Sequence, residues 1–225
     1  LYCICNRTGL KGENVGKQFG ASYVTTEYQD VLNDENVDLI MIVTSHKEHE
    51  SMVISALESG KNVFVEKPLA LTIAELLMID EMMNSIKNPP LLMVGFNRRF
   101  APHIIKMKSL LEVKREPKVI VITVNAGAIP AEHWTQDSEV GGGRIIGEGC
   151  HFIDLMRFLV GHPITHHQAM MMGDASNEEV LDDKVTINLS FKDGSFGTIH
   201  YLSNGGKTFA KERVEVFCGG STLQL

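Results

Sequence analysis

The run Val63-Phe64-Val65-Glu66-Lys67-Pro68 sets a carboxylate, an ammonium and an imide directly after three apolar residues. A short run rich in β-branched residues reads as an interior strand of a parallel sheet, and Pro68 cannot donate to a ladder or readily continue it. The strand is therefore expected to stop at Lys67. In open α/β sheets, ligands bind outside the carboxyl ends of the strands, which makes Lys67 a candidate for work on a bound ligand. A solvated lysine at a strand-to-helix turn is the other reading that composition leaves open. Desolvation at such a place lowers a lysine pKa and suits it to moving a proton. Because X-Pro is the one peptide type in which cis is cheap, Lys67-Pro68 is a candidate cis bond.

Other residue types with chemical potential are fewer. His46 and His49 stand three apart, as zinc ligands do, but no third ligand lies near them in the sequence. The four cysteines form no C-x-x-C pair, and Cys3 and Cys5 share one face of a presumptive strand as packed, reduced thiols. No metal site is expected. Trp134 is the single tryptophan and lies in a polar stretch, where its flat amphipathic ring can either stack on a ligand or pack. Met170-Met171-Met172 reads as core filler.

The elements that must position these groups follow from periodicity. With 225 residues, 44% of them apolar, the chain can bury one large core or two modest ones. Its net charge of −7 argues against sequence-independent nucleic-acid binding, which needs a basic face. No apolar run reaches the length of a membrane span, and Leu1-Tyr2-Cys3-Ile4-Cys5 has neither the basic flank nor the cleavage site of a signal peptide. The expected location is the cytoplasm. The first residue is not methionine and the chain opens inside a strand, so it reads as a piece of a longer protein.

Strands are expected at 1–5, 37–44 and 91–94 and at the run ending in Lys67, with helices between them near 14–19, 27–33, 46–59 and after Thr72, a good N-cap. The near-continuous hydrophobicity of 37–44 predicts burial on both faces. Strands alternating with helices imply right-handed crossovers and a parallel sheet. The pattern changes after Gly95: helices at 101–111 and 150–159, and strands at 119–125, 169–172, 185–191, 196–202 and 214–218. Lys192-Asp193-Gly194-Ser195 is a hairpin signal. The fold class is thus α/β, an incomplete Rossmann parallel sheet over 1–97, followed over 98–225 by an α+β domain with a mostly antiparallel open sheet.

Four motifs then stand in order: Glu66-Lys67-Pro68, Gly95-Phe96-Asn97-Arg98-Arg99-Phe100, Gly141-Gly142-Gly143, and Gly149-Cys150-His151-Phe152-Ile153-Asp154. Together they resemble the glucose–fructose oxidoreductase / inositol dehydrogenase / rhizopine catabolism (Gfo/Idh/MocA) family of NAD(P)-dependent oxidoreductases. The resemblance implies a Rossmann domain, then a domain whose open sheet forms a homo-oligomer interface. Against that template the chain begins at the second Rossmann strand and stops short of the usual end. The Gly-x-Gly-x-x-Gly turn that cradles the pyrophosphate is missing, and residues 1–225 alone are expected to bind dinucleotide poorly.

The implied chemistry is hydride transfer between nicotinamide and a sugar, cyclitol or related hydroxy/keto substrate. Lys67 would stabilise the developing alkoxide, with Glu66 steering the strand end and Pro68 beside the cofactor. His151 matches the family's active-site histidine, the general base for the alcohol proton, and a packed helix histidine is its bland alternative. Where the family carries an aspartate four residues before that histidine, this chain has Gly147, and Glu148 is the candidate replacement. Thr44-Ser45-His46-Lys47-Glu48-His49 stands at the family's Thr-Pro-Asn-x-x-His cofactor loop, with Thr44 and His49 matching; His49 is expected to cap or orient the loop. Asn6 followed by Arg7 replaces the acid that would accept a ribose 2′-hydroxyl, which favours NADP over NAD. Arg98 and Trp134 join His151 as candidate substrate contacts; Arg98 and Arg99 have salt bridging as their other reading. The competing function is a catalytically silent family member that binds a sugar or a partner, suggested by Gly147 and the missing phosphate turn.

Overall fold

A computed structural model describes residues 1–173, 180 and 182–225. Two compact units divide the chain, Leu1–Gly95 and Phe96–Leu225. The division expected from sequence, after residue 97, lies two residues later.

The first unit alternates strand and helix: β1 (Cys3–Cys5), α1 (Gly9–Phe19), β2 (Tyr23–Thr25), α2 (Tyr28–Asn33), β3 (Leu39–Ile42), α3 (His49–Glu58), β4 (Asn62–Val65), α4 (Ile73–Ser85) and β5 (Leu92–Val94). All its ladders are parallel, β1 with β2 and, separately, β3-β4-β5. Gly20 ends α1 in the left-handed region at φ 67°, the conformation a C-terminal cap requires. Thr72 caps α4 as the periodicity predicts. Its hydroxyl accepts from the Glu75 amide while the Glu75 carboxylate accepts from the amides of Thr72 and Leu71, a complete capping box.

The core of this unit lies where Val53, Ala56 and Leu57 of α3 and Ile79 of α4 meet Ile40, Ile42, Val63 and Val65. Burial of β3 on both faces is not what forms. Period-2 alternation sends Ile40 and Ile42 into that core and turns Leu39, Met41 and, just past the strand, Val43 outward, at 54%, 61% and 67% exposure. β4 stops at Val65, although the Glu66 amide still donates to Ile42 O of β3 at 2.9 Å, and Lys67 lies beyond the ladder. The Lys67–Pro68 peptide is cis.

The second unit opens with a 3₁₀ turn at Asn97–Phe100 and α5 (Pro102–Glu112), then β6 (Val119–Asn125). A π-helical turn, Ile145–Gly149, leads directly into α6 (Cys150–Val160), which Gly161 ends at φ 83°. β7 (Ile164–Met171), β8 (Lys184–Phe191), β9 (Phe196–Leu202), β10 (Glu212–Cys218) and β11 (Ser221–Gln224) complete a six-stranded sheet of order β11-β10-β6-β9-β8-β7. Its ladders are antiparallel except β6 with β9. The expected hairpin joins β8 to β9, with Gly194 at φ 88° in the turn.

One sheet face packs under α5 and α6 through Ile104, Met107, Phe152, Leu155, Met156 and Leu159 against Ile120, Ile122, Ile199 and Val216. Gly197 sets how closely α6 approaches, because a Cβ there would stand 2.6 Å from both Met156 Sδ and Ile120 O. β7 is longer than expected and β11 was not expected. β7 is an edge strand exposed over nearly its whole length, so it carries no hydrophobic alternation to betray it.

Candidate functional site

In the first unit the chemistry gathers at the carboxyl ends of β3 and β4. Ile42 pairs with Val65, so the residues that follow them, Thr44-Ser45 and Glu66-Lys67, leave the sheet side by side. Thr44 is exposed, and Ser45, Glu66 and Lys67 are half-buried, so these polar groups remain accessible. The Glu66 Oε2 accepts from the Lys67 amide at 3.3 Å, folding the carboxylate back over the start of the turn. Gly95, at the end of β5, leaves room for it: a Cβ there would stand 3.2 Å from Glu66 Cδ and Oε1 and from Phe64 Cζ.

His49, expected to cap or orient the loop, and His46 are both enclosed. His46 is 7% exposed and His49 is 0% exposed. The His49 ring lies between two main-chain carbonyls, Nδ1 2.6 Å from Pro68 O and Nε2 3.2 Å from Thr44 O, with the His46 ring 5.7 Å away between centroids. A side chain enclosed in this way is placed to orient the loop. Pro68 is likewise buried. At the end of β1, Asn6 Oδ1 accepts from the Thr8 amide at 2.9 Å, so the side chain shapes its own turn, while Arg7 is exposed.

In the second unit His151 sits in the first turn of α6, 8% exposed, its ring edge-on to Phe96 at 6.1 Å. The π-helical turn before it carries Glu148, whose carboxylate is fully engaged. The Tyr201 hydroxyl donates to Oε2, Arg144 Nη2 donates to the same oxygen at 3.0 Å, and Lys211 Nζ lies 3.6 Å from Oε1. Burial pushes the Glu148 carboxyl up, but the Tyr201 hydroxyl and the Arg144 and Lys211 charges outweigh it and hold the group below its ordinary value. Burial, and then the hydrogen bond to Glu148, raises the Tyr201 phenol far above its own.

Arg144 extends the network. It donates to Gly127 O at 2.6 Å and lies 3.8 Å from Asp183, which accepts from Ser203 Oγ at 2.7 Å and from Lys184 Nζ at 3.0 Å. Arg144, Asp183, Lys184 and Ser203 are all buried. Sequence reasoning missed Tyr201, Arg144 and Asp183. The i,i+4 spacing of Arg144 and Glu148 was the one available signal, whereas Tyr201 reaches Glu148 across 53 residues of chain.

The two arginines after Gly95 are both ion-paired. Arg98 pairs with Glu212 and stacks on Phe152, its guanidinium 4.4 Å from the ring centre, which is the salt bridging named as its other reading. Arg99 grips the buried Asp154 with two donors. Trp134 is 45% exposed and lies in a loop folded on itself: Asp137 Oδ1 accepts from the Glu139 and Val140 amides, and the Gly141 amide donates to Asp137 O. Among the described residues no helix is long and apolar enough to cross a membrane, and no three His, Cys, Asp or Glu side chains are grouped as metal ligands.

Comparison with known proteins is consistent with this geometry. Residues 1–96 match the family model described as "Oxidoreductase family, NAD-binding Rossmann fold", and residues 108–224 match "GFO/IDH/MocA C-terminal domain". The scyllo-inositol 2-dehydrogenase (NAD(+)) of Bacillus subtilis is 30% identical over 205 residues, covering 88% of this chain and 58% of that protein. The myo-inositol 2-dehydrogenase of Thermotoga maritima is 27% identical over 225 residues, covering 96% and 65%. Levoglucosan dehydrogenase in complex with NADH shares the fold, with a TM-score of 0.84 at 21% identity over 99% of this chain and 63% of its own. The chain thus spans less than two thirds of the length of each.

Proposed function

Because the chain belongs to the Gfo/Idh/MocA family of oxidoreductases, we propose that its protein transfers a hydride between a nicotinamide cofactor and a carbinol or carbonyl carbon of a sugar or cyclitol. The observation that carries this reading is the presentation of Lys67 and Glu66 beyond the end of β4, beside Thr44 and Ser45 beyond β3. Four accessible polar residues at adjacent carboxyl ends suit the nicotinamide half of a dinucleotide. The chain has no Gly-x-Gly-x-x-Gly turn to hold the diphosphate. When bound, the nicotinamide supplies or accepts the hydride.

Within that reading this chain's residues divide the remaining work. The Lys67 ammonium stabilises the charge that develops on the substrate oxygen, and His151 takes the hydroxyl proton during oxidation or returns it during reduction. Glu148, occupied by Tyr201, Arg144 and Lys211, holds the turn that presents His151 and does not carry the proton. Trp134, half-exposed on its loop, offers a face for a sugar ring. NAD is the cofactor supported: the relatives' names and titles specify NAD(+) and NADH, and the lean toward NADP drawn from Asn6 and Arg7 finds no support there.

Self-association through the open sheet face belongs to the same proposal. Phe217, Val119 and Phe196 form a row across β10, β6 and β9 on the face away from the helices, with Phe196 53% and Phe217 41% exposed.

The test is nicotinamide turnover by the complete polypeptide against a panel of inositols, inosones and keto-sugars. Turnover is expected with NAD(H), and Lys67→Met is expected to lower kcat by about 100-fold or more, as loss of one charge-stabilising donor does. Full activity in Lys67→Met, or inactivity across the panel, would reject the reading. The silent, ligand-binding alternative predicts the second of these results.

A further inference from the structure

The fully buried His49 ring spans the carboxyl ends of two neighbouring strands. Thr44, whose carbonyl faces Nε2, follows β3, and Pro68, whose carbonyl faces Nδ1, follows β4. Both neighbours are acceptors only, and a neutral imidazole carries a single N–H. The 2.6 Å contact to Pro68 O is the shorter and calls for that proton on Nδ1. On the other side of Lys67, its own amide donates to Glu66 Oε2 at 3.3 Å. The lysine main chain is thus held from both directions, by a carboxylate before it and by the acceptor of an imidazole after it.

We propose that His49 is the positioning residue of Lys67: by donating from Nδ1 to Pro68 O it fixes the main chain that follows the lysine and so the place of the amine. The proposal rests on the reading that Lys67 does the chemistry. His49 itself, being enclosed, touches neither substrate nor cofactor. With the proton on Nδ1, Nε2 only packs against Thr44 O, so the hold on the Lys67 turn comes through Pro68 O.

The experiment uses the complete polypeptide and needs no cofactor. Asn puts an amide nitrogen near the place of Nδ1, Gln puts one near the place of Nε2, and Leu fills the volume with neither. Lysine labelling by an acylating reagent, mapped by mass spectrometry, compares Lys67 with the other lysines as internal references, with folding checked by circular dichroism. In His49→Leu and His49→Gln the relative rate at Lys67 is expected to change about threefold or more, as loss of a typical net hydrogen bond allows, and in His49→Asn to stay near wild type. An unchanged Lys67 rate in folded His49→Leu or His49→Gln, or equal changes in the Asn and Gln variants, overturns the proposal.

Should the Leu variant not fold, the Asn and Gln pair decides. An unprotonated Nδ1 in the ¹⁵N spectrum of the wild-type histidines overturns it whatever the variants do. Because labelling reads the place of an amine and not turnover, an active Lys67→Met enzyme would remove the catalytic reading and leave this result standing.

Discussion

The carboxylate of Glu66 lies against the backbone of Gly95, so close that a single added carbon would stand 3.2 Å from both Cδ and Oε1. This contact ties the end of β4 to the end of β5 through the residue that immediately precedes Lys67. Gly95→Ala is expected to displace the carboxylate and weaken its hold on the Lys67 amide. Overpacking of this kind costs about 1 to 3 kcal/mol. A denaturant midpoint gives the cost, and a shifted Lys67 amide resonance reports the displacement; an unmoved resonance would show that Phe64 or the backbone absorbs the strain.

Glu148 gives the second unit a dependence on acid. Its folded-state pKa lies below the ordinary value of 4.5, so the unfolded chain binds the proton more readily than the folded one. The stability that follows is present above about pH 4.5 and is lost as pH falls through the depressed folded value. Unfolding midpoints measured from pH 6 down to about pH 3 should fall less steeply in Glu148→Gln than in wild type. Equal slopes would mean that Arg144 and Lys211 do not favour the anion.

The Arg99–Asp154 pair is unequal in its surroundings, with Arg99 30% exposed in its side chain and Asp154 only 8%. Replacing the arginine strands a buried carboxylate, whereas replacing the aspartate leaves a guanidinium that can turn to solvent. Arg99→Met is therefore expected to cost about 3 kcal/mol, and Asp154→Asn about 1 kcal/mol. Chemical denaturation of the two variants checks the order, and a larger loss for Asp154→Asn would contradict it.

Gly197→Ala tests how α6, and with it His151, is seated. A methyl group 2.6 Å from both Met156 Sδ and Ile120 O meets a main-chain carbonyl that cannot turn away. The loss should be about 1 to 3 kcal/mol. Met156→Ala in the same chain should recover only the part due to the flexible thioether. Complete recovery in the double variant would place the whole conflict on Met156.

Much of this architecture is legible in residue order because local chemistry and tertiary context agree. Thr72 and Glu75 spell a helix start and form one, and Gly194 between two alternating runs makes the hairpin it signals. β3 misled because an apolar run says how much surface wants cover, not which face receives it. β7 was undercounted because an exposed edge strand is specified by main-chain hydrogen bonds to β8 and leaves no mark in side-chain type.

At the candidate site the same distinction holds. Lys67 is announced by its proline. The engagement of Glu148 with Tyr201 and of Arg98 with Glu212 depends on where a helical turn meets a strand distant in sequence and cannot be read in either neighbourhood. His49 was expected to cap or orient its loop, and its burial between main-chain carbonyls fits that, but the carbonyl facing Nδ1 is that of Pro68, nineteen residues away, and cannot be read locally.

The parallel pairing of β6 with β9 at the middle of an otherwise antiparallel sheet also sets an order of events in folding. β6 has no hairpin partner on either side: it meets β9 and β10 only after long stretches of chain have been closed. The β8–β9 and β10–β11 hairpins need only short closures and can form early. The central strand therefore enters a sheet whose flanks already exist. The arrival of β6 between β9 and β10 is the expected slow step of this unit, by the rule that non-local pairing sets the pace, and a refolding rate lowered by Ile122→Val as much as stability falls would check it.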